Sequence, residues 1–431
     1  MIFQDHIPVT FSDMLDHIQM PRMYKVRQIF DSNHIADVAA KASEQMACLL
    51  NDGRVQGKRI AVTVGSRGIR HNAQILEVVI ASLRNHGAVP VLIPAMGSHG
   101  GATAKGQADV LHRLGIDGDA LGAEMIATMD AQQVGALQDG TPVYCSTDAL
   151  KADGILVINK IKPHADFKGE YESGLVKMLA IGLGKHMGCS RLHRLGFASF
   201  PQVLPEAARI ILREAPVIGG LALLENAYDD IMHIEAVEPQ DILSREKALL
   251  TLAKQNIAQI KTDALDVLII DEIGKHISGE GMDPNVTGRP GSYLNEGFDH
   301  IRIGNIVVRD VAVQSAGNGA GIGMADITTV DCVKKLDLGS MYTNSITAGI
   351  LGPSRLPVVL NNDEEAIKTA IKIAAPNRLN SPRIARIRNT LLLDEIWVSQ
   401  ALADEMSQRP DVEILEEVAL QFENGALTPP I

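Results

Sequence analysis

The chain contains 431 residues, of which 46% are hydrophobic and 21% are charged, as in an ordinary globular protein. This length suits two or three domains, since single cores stop growing beyond a few hundred residues. The net charge of −12 and the aromatic content of 3% exclude the usual nucleic-acid-binding classes, because those need clustered Lys and Arg or stacking rings.

The N-terminal stretch MIFQDHIPVTFSDMLDH predicts neither secretion nor membrane insertion. Acidic residues interrupt it early, and it lacks the basic start and the apolar run of a signal peptide. No apolar stretch of the sequence reaches the roughly 18 residues that a spanning helix needs. Cys48, Cys145, Cys189 and Cys332 are scattered without a C-x-x-C pair, which favours free thiols in a reducing cytoplasm.

From Arg59 onward, short β-rich runs alternate with helical runs. The predicted order is strand, helix, strand, helix, strand over RIAVTVGS, NAQILEVVIASLRNHG, AVPVLIPA, KGQADVLHRLG and DGILVINKI. This alternation predicts an α/β fold with a mostly parallel sheet. Ligands of such sheets lie beyond the carboxyl ends of the strands, so the candidate site loops are GSRGIRH, MGSHGGAT and KPHADFKGE.

A long helix is predicted over DILSREKALLTLAKQNIAQIK, after which ALDVLIIDEIG begins a second α/β unit. We therefore place a domain boundary near Thr262, giving domains of 1–262 and 263–431. Within the second domain, GKHISGEGMDPNVTGRPGS is too rich in Gly and Pro for a regular element. Loops of this length inside compact domains are usually functional or disordered.

Two glycine-rich loops are ambiguous by themselves. GSHGGAT, from Gly97 to Thr103, lies between a strand and a helix, where backbone N–H groups can approach a phosphate or a carboxylate. It lacks the G-K-[ST] of a P-loop, and a tight turn with an incidental histidine explains it at least as well. The run SAGNGAGIG fails the dinucleotide-binding pattern, because Ile322 stands where the third glycine is required.

The segment from Ile158 to Arg194 carries three residues of catalytic interest. His164 follows Pro163 at a predicted strand-to-loop transition, which suits a general base and a surface histidine equally. Lys177 has apolar neighbours, so its amine extends to solvent, forms an ion pair or is used chemically. His193 is a candidate metal ligand, but no H-E-x-x-H, C-x-x-C or H-x-H accompanies it, which gives a closed zinc site little support.

In combination, these motifs resemble the nickel-dependent lactate racemase family. The shared order is an arginine-bearing loop after one strand, a G-x-H loop after the next, then P-H, G-x-x-K and a further histidine. The resemblance is clearest from Arg59 to Arg194. It implies two α/β domains with an active-site cleft between them, and the C-terminal domain would close the substrate cleft. The HISGEGMDPNVTGR loop is expected to face this cleft.

The resemblance also implies a cofactor, the nickel-pincer nucleotide, a pyridinium mononucleotide in which two sulfurs and a ring carbon hold nickel. The N-terminal domain would bind it. Lys177 would hold it covalently, and His193 would be the protein ligand of nickel, with His186 as a weaker match. The further cofactor contacts that the resemblance implies are Arg67, Ser98 and Gly100.

The implied reaction is the racemisation or epimerisation of a 2-hydroxy acid by transient hydride transfer. Loss of a hydride leaves a flat 2-keto acid that can be reduced again from either face, and the cofactor carries this step. The protein must supply a base on each side of the substrate, the implied role of His99 and His164. Arg67 and, as looser matches, Lys275 and Arg289 would clamp the carboxylate.

The sequence departs from the family pattern at three places. VGSRGI stands where the family has an acidic and histidine-bearing run, and Gly100 stands where it has an arginine. KGEYES lengthens the spacing between P-H and the lysine. These departures leave the identity of the hydroxy acid open.

Three other interpretations fit the same residues. Lys177 could be a Schiff-base lysine for pyridoxal phosphate. His99, His164 and His193 could surround zinc in a hydrolase. The chain could also be a non-catalytic metabolite-binding protein of the same fold. The expected partner is a small 2-hydroxy acid, and binding to nucleic acid or to a membrane is not expected. A homodimer is possible, and the sequence leaves the oligomeric state open.

Overall fold

The computed structural model of the chain describes residues 6–7 and 11–428. It contains two compact units: a central unit, Asp31–Ile257, and a composite unit that combines Met1–Phe30 with Ala258–Ile431. Much of the N-terminal stretch, for which neither secretion nor membrane insertion was predicted, lies outside the described residues. No helix within the described ranges combines the length and the apolar character that crossing a membrane requires.

The strands of the described residues are, in chain order, β1 (Met23–Gln28), β2 (Arg59–Val64), β3 (Val89–Pro94), β4 (Glu124–Met125), β5 (Ala131–Ala136), β6 (Pro142–Ser146), β7 (Gly154–Lys160), β8 (Val217–Glu225), β9 (Ile231–Val237), β10 (Ala264–Ile270), β11 (Arg302–Val308), β12 (Ile327–Thr329), β13 (Val358–Leu360), β14 (Ile384–Ile387), β15 (Glu395–Ser399), β16 (Val412–Val418), β17 (Gln421–Glu423) and β18 (Ala426–Thr428). The α-helices are α1 (Ser12–Leu15), α2 (Val38–Leu50), α3 (Asn72–Asn85), α4 (Ala104–Arg113), α5 (Gly118–Leu121), α6 (Thr147–Leu150), α7 (Leu175–Lys177), α8 (Lys185–His193), α9 (Phe200–Glu214), α10 (Ile242–Gln255), α11 (Pro284–Thr287), α12 (Val330–Lys334), α13 (Leu338–Ala348), α14 (Asp363–Ala374) and α15 (Gln400–Met406).

The central unit is built on a six-stranded sheet in the order β4-β3-β2-β7-β8-β9. Neighbouring strands pair in parallel except for β8 and β9. β2 and β7 are buried along most of their length, so both faces are apolar and their sequences read as continuous apolar runs. The predicted alternation of strands and helices from Arg59 to Lys160 is confirmed.

The helices of the central unit supply the apolar faces that cover this sheet. Helix α3 buries Ile75, Leu76, Val79, Ile80 and Leu83, a spacing that keeps one side of a helix apolar. These side chains share a core with α2 and with β2 and β3. The carboxyl ends of the strands are thereby held in fixed positions.

The composite unit has an eight-stranded sheet in the order β13-β12-β11-β10-β14-β15-β1-β16. The strands from β13 to β14 are parallel, and β15, β1 and β16 continue the sheet in antiparallel pairing. Because β1 lies between β15 and β16, a strand from the N-terminal part of the chain joins this unit. The observed division therefore differs from the expected domains of 1–262 and 263–431.

Two predicted segments differ locally from the structure. Helix α10 ends at Gln255 rather than near Lys261, because the Asn256 N–H bonds to the Ala253 carbonyl and closes the last turn. Ile260 then packs into the core of the composite unit. The loop predicted to lack regular structure contains the short helix α11, whose first turn is capped by the Asp283 side chain.

A buried ion-pair network lies at the centre of the composite sheet. Arg386 of β14 is fully buried, and its Nε and Nη2 donate to the two oxygens of Asp271 at 2.9 and 2.8 Å. Arg309 Nη1 donates to the same carboxylate at 2.8 Å. The Arg386 guanidinium also lies 4.8 Å from the centre of the Trp397 ring.

We expect Asp271→Asn to destabilise the composite unit by about 3–5 kcal/mol, because removing one partner of a buried pair leaves the other charge uncompensated. Trp397 is the single tryptophan of the chain, so its fluorescence during urea unfolding reports this unit. Glu413→Gln, at an exposed pair with Arg27, is the control and should leave the midpoint in place. An unchanged midpoint for Asp271→Asn would contradict the prediction.

Candidate active site

The loops that follow β2, β3 and β7 meet at one edge of the central sheet. These strands are adjacent and parallel, so their carboxyl ends lie side by side. The loop after β3 brings His99 against the loop after β2, where the Ser66 hydroxyl contacts His99 Nδ1. The loop after β7 carries His164. The three loops selected from the sequence thus form one surface.

His164 and Lys177 form a direct pair in which Lys177 Nζ contacts His164 Nε2. On the other side of the ring, the backbone N–H of Asp166 donates to His164 Nδ1 at 3.0 Å. Nδ1 therefore supplies a lone pair, and the proton of the neutral ring is on Nε2. An Nε2–H group can only donate to an amine that has itself lost a proton, so the geometry fits a neutral Lys177.

The electrostatics of the pair point in the same direction. Burial, followed by the charge of Lys177, holds the pKa of His164 well below 6.5. Burial lowers the pKa of Lys177 to about 8, an effect that the Asp166 charge opposes and the Arg67 charge strengthens. Lys177 thus presents an unprotonated amine far more often than an ordinary lysine does, and Arg67 belongs to the same charged environment.

Modification of Lys177 by acetic anhydride should rise with a midpoint near pH 8, since only the neutral amine reacts and burial lowers its pKa to about 8. Below that pH the amine is protonated and protected. Peptide mass spectrometry measures the extent at each residue, and exposed Lys151 serves as the reference for the reagent. A Lys177 profile that follows the Lys151 profile would contradict the lowered pKa of Lys177.

A buried carboxyl group positions the turn that carries Lys177. Helix α7 ends at Lys177 and continues directly into a π-helical turn, Met178–Gly182, a feature frequent at functional sites. Glu246 of α10 is buried and accepts a hydrogen bond from the Val176 N–H at 2.8 Å. A Cβ on Gly174 would lie 2.5 Å from the Glu246 carboxyl carbon, so a glycine is required for this approach.

Burial raises the pKa of Glu246 from 4.5 to about 8, although hydrogen bonds from the backbone oppose the shift. The native state then keeps a proton that the unfolded chain releases near pH 4.5, so stability should fall as pH rises from about 4.5 to about 8. Glu246→Gln should flatten this part of the stability profile, measured as Tm against pH. Exposed Glu77→Gln is the control, and an unchanged slope in Glu246→Gln would contradict the assignment.

Helix α8 places His193 one turn after Cys189. His193 Nδ1 lies 2.8 Å from the Cys189 carbonyl oxygen and 3.3 Å from Cys189 Sγ. Cys189 Sγ in turn lies 3.7 Å from Ser98 Oγ. Burial lowers the pKa of His193, but the adjacent thiol outweighs it and the net pKa is raised. For Cys189, burial raises the pKa, and the contacts with His193 and Ser98 bring it below 9.0.

Close backbone packing explains the glycines of the GSHGG loop. A Cβ on Gly106 would lie 1.8 Å from the Gly100 carbonyl oxygen, and a Cβ on Gly100 would lie 2.4 Å from the Gly106 carbonyl carbon. Gly100 also has a positive φ of +68°, which other residues adopt at a cost. Gly100 thus has a packing role in holding the loop, and its contact with the cofactor stays a prediction.

Lys185 connects this loop to helix α8. Its fully buried amine donates to the Pro94 carbonyl at 2.6 Å and to Gln107 Oε1 at 3.4 Å. Gln107 Nε2 in turn donates to the Gly97 carbonyl at 2.9 Å. The loop that carries His99 and the helix that carries His193 are therefore fixed to each other through buried polar contacts.

Contacts or electrostatic interactions at this edge link six of the predicted residues, namely Arg67, Ser98, His99, His164, Lys177 and His193. His186 instead contacts Ser190 Oγ at 3.3 Å. Within the described ranges, no three His, Cys, Asp or Glu side chains converge as metal ligands. His99, His164 and His193 do not form such a set there.

The two remaining predicted residues lie in the composite unit. Lys275 Nζ donates to the Gly279 carbonyl at 2.5 Å. Arg289 pairs with Asp326 at 2.5 Å and donates to the Ile303 carbonyl at 2.8 Å. These contacts describe a structural use of both side chains, and their role as a carboxylate clamp stays a prediction.

The sequence interpretation missed several contributors to the site, among them Ser66, Cys189, Lys185 and Glu246. The Cys189–His193 spacing of four residues was a usable signal, since side chains one turn apart meet on a helix. Glu246 gave no local signal, because it lies 70 residues from Val176.

No family model matches this sequence, and no curated protein matches it. Among solved structures, the fold is similar to the lactate racemase apoprotein from Thermoanaerobacterium thermosaccharolyticum, with a TM-score of 0.53 and 12% identity. The similarity covers 85% of this chain and 98% of that chain. It confirms the two-unit α/β fold with large, mostly parallel sheets. Function has to be argued from the site.

Proposed function

We propose that the chain is an isomerase that racemises or epimerises a 2-hydroxy acid with a nickel-pincer nucleotide attached to Lys177. The observation that carries the proposal is the contact between His164 Nε2 and the buried Lys177 amine, whose pKa burial lowers to about 8. Attachment of a carboxyl-derived group to lysine needs an unprotonated amine. The fold similarity to a lactate racemase apoprotein supports the same reading.

The residues present fit such a cofactor. Lys177 offers the amine, and His193 offers an imidazole nitrogen of the kind that nickel binds. A Cβ on Gly97 would lie 3.1 Å from Cys189 Sγ, so the glycine lets the loop that carries Ser98 pack closely against helix α8. When bound, the cofactor would supply the hydride acceptor that the side chains lack.

His164 and His99 would exchange the hydroxyl proton of the substrate. The Asp166 N–H fixes the His164 ring so that Nε2 is the atom that gains or loses a proton. The Ser66 hydroxyl contacts Nδ1 of His99, and this contact orients the ring. Two separately oriented imidazoles at one strand edge meet the need of a racemase for proton transfer on both sides of a carbon.

The charge of the edge favours an anionic substrate. Lys162 and Lys168 both act electrostatically on His164, and Arg67 acts on Lys177. Lys168 lies 3.6 Å from Glu172, so part of this charge is balanced internally. Cations at a partly buried edge attract a carboxylate and orient it by hydrogen bonds.

The attachment is tested by the intact mass of the denatured protein after expression with nickel and the enzymes that build the cofactor. We expect a covalent adduct on the wild type, its absence in Lys177→Ala, and its retention in the exposed control Lys151→Ala. An adduct on Lys177→Ala would show that Lys177 is not the residue of attachment. The absence of an adduct on the wild type, under conditions that load a lactate racemase, would contradict the assignment of this cofactor.

The proton-transfer roles are tested separately, on protein that carries the adduct. We expect His164→Asn and His99→Asn each to lower the interconversion of 2-hydroxy acid enantiomers by about 10²–10⁴-fold, because each removes a general acid–base group. Chiral chromatography of a hydroxy-acid panel measures the rate, and the adduct mass should be unchanged. Full activity in either variant would contradict that residue's role.

A further inference from the structure

We propose that Lys254 of helix α10 is a positioning residue for His164 and acts through the buried carboxylate of Glu172. Helix α10 would thereby hold both members of the His164–Lys177 pair, since its Glu246 already holds the turn that carries Lys177. The inference rests on the proposed function for the catalytic meaning of this pair. The geometry of the pair can be measured separately, on protein without cofactor.

Glu172 holds the loop between β7 and α7 together from the inside. Its side chain is fully buried, and each carboxylate oxygen accepts a backbone N–H of the loop. Oε2 accepts the His164 N–H at 2.6 Å, and Oε1 accepts the Gly169 N–H at 3.2 Å. A buried carboxylate needs a cation, because burying a charge without a partner is costly. The position of His164 therefore depends on the cations that balance Glu172.

Lys254 and Lys168 both lie near this carboxylate, and Lys254 is the closer of the two. Lys254 Nζ lies 2.6 Å from Glu172 Oε1, whereas Lys168 Nζ lies 3.6 Å from Oε2. Lys254 Nζ also donates to the Gly169 carbonyl at 3.3 Å. Lys168 belongs to the loop itself, but Lys254 belongs to a helix that packs on β8. Lys254 thus fixes the loop to a separate element of the central unit.

The spacing along helix α10 lets it hold both members of the pair. Glu246 and Lys254 lie about two turns apart in this helix, on the side that faces the loop. Glu246 accepts a backbone N–H of the turn of Lys177 at 2.8 Å, and Lys254 holds Glu172. The chain between His164 and Lys177 is therefore attached to one helix at two points. The contact of Lys177 Nζ with His164 Nε2 is made between these two points.

The test uses the full-length protein without cofactor and measures the pH midpoint of Lys177 acylation. In Lys254→Met the loop of His164 should loosen and admit water. The midpoint should then rise by about one pH unit or more, because burial is what lowers the pKa of Lys177 to about 8. Lys254→Arg keeps the charge and should keep the wild-type midpoint. Lys247→Met is the matched control on the same helix, since its pair with Glu170 of the loop is exposed.

A double-mutant cycle determines whether Lys254 acts through Glu172. Lys254→Met should shift the midpoint in the wild type but have little effect in Glu172→Gln, because the carboxylate that needs the cation is gone. An equal shift in both backgrounds would indicate a direct effect of charge and overturn the inference. So would an unchanged midpoint in both Lys254→Met and Lys254→Gln, with the fold of each variant verified by circular dichroism.

Activity of protein that carries the adduct separates this inference from the proposed function. Lys254→Met should lower hydroxy-acid interconversion by about 10²-fold at unchanged adduct mass, since misplacing a catalytic group by about 1 Å costs that much. A shifted midpoint without any adduct on the wild type would support the positioning role and reject the cofactor. Adduct and turnover, with Lys254→Met equal to the wild type in midpoint and rate, would reject the positioning role and leave the proposed function standing.

Discussion

One backbone hydrogen bond, from the Asp166 N–H to His164 Nδ1, determines the protonation pattern of the whole site. With Nδ1 engaged as an acceptor, the ring turns its Nε2 proton toward Lys177. The loop that makes this bond is held by Glu172, which is fully buried and accepts the His164 N–H at 2.6 Å and the Gly169 N–H at 3.2 Å. Glu172 belongs to KGEYES, which lies between His164 and Lys177, so this segment braces the loop that carries His164.

The site is supported by buried polar groups whose charged forms burial disfavours. Burial shifts the pKa of Lys177 and of Lys185 down to about 8 and that of Glu246 up to about 8. Each of these groups costs stability, because a buried polar atom must find a hydrogen bond inside the protein. Glu246 finds it at the turn of Lys177, and Lys185 finds it at the loop of His99. The buried groups that cost stability are thus the same groups that position the segments of Lys177 and His99.

The order of strands and helices was predictable because parallel strands and amphipathic helices leave periodic patterns. The convergence of the loops of His99 and His164 followed from the topology alone, since the carboxyl ends of parallel strands share an edge. The place of β1 in the composite sheet was not predictable, because its partners β15 and β16 lie at the other end of the sequence. Glu246 was missed for the same reason, since contacts between distant segments leave no local pattern.

The fold can be similar at 12% identity, because many different apolar side chains can fill the same core. A functional site, in contrast, needs particular atoms in particular places. Gly100 is a position at which this chain differs from the lactate racemase pattern. The lactate racemase pattern has an arginine there, but here a Cβ would lie 2.4 Å from the Gly106 carbonyl carbon and 2.5 Å from the Gln107 nitrogen. A cationic side chain at this position is therefore sterically excluded as well as absent. The cations whose charge acts on Lys177 at this edge are Arg67 and Lys162.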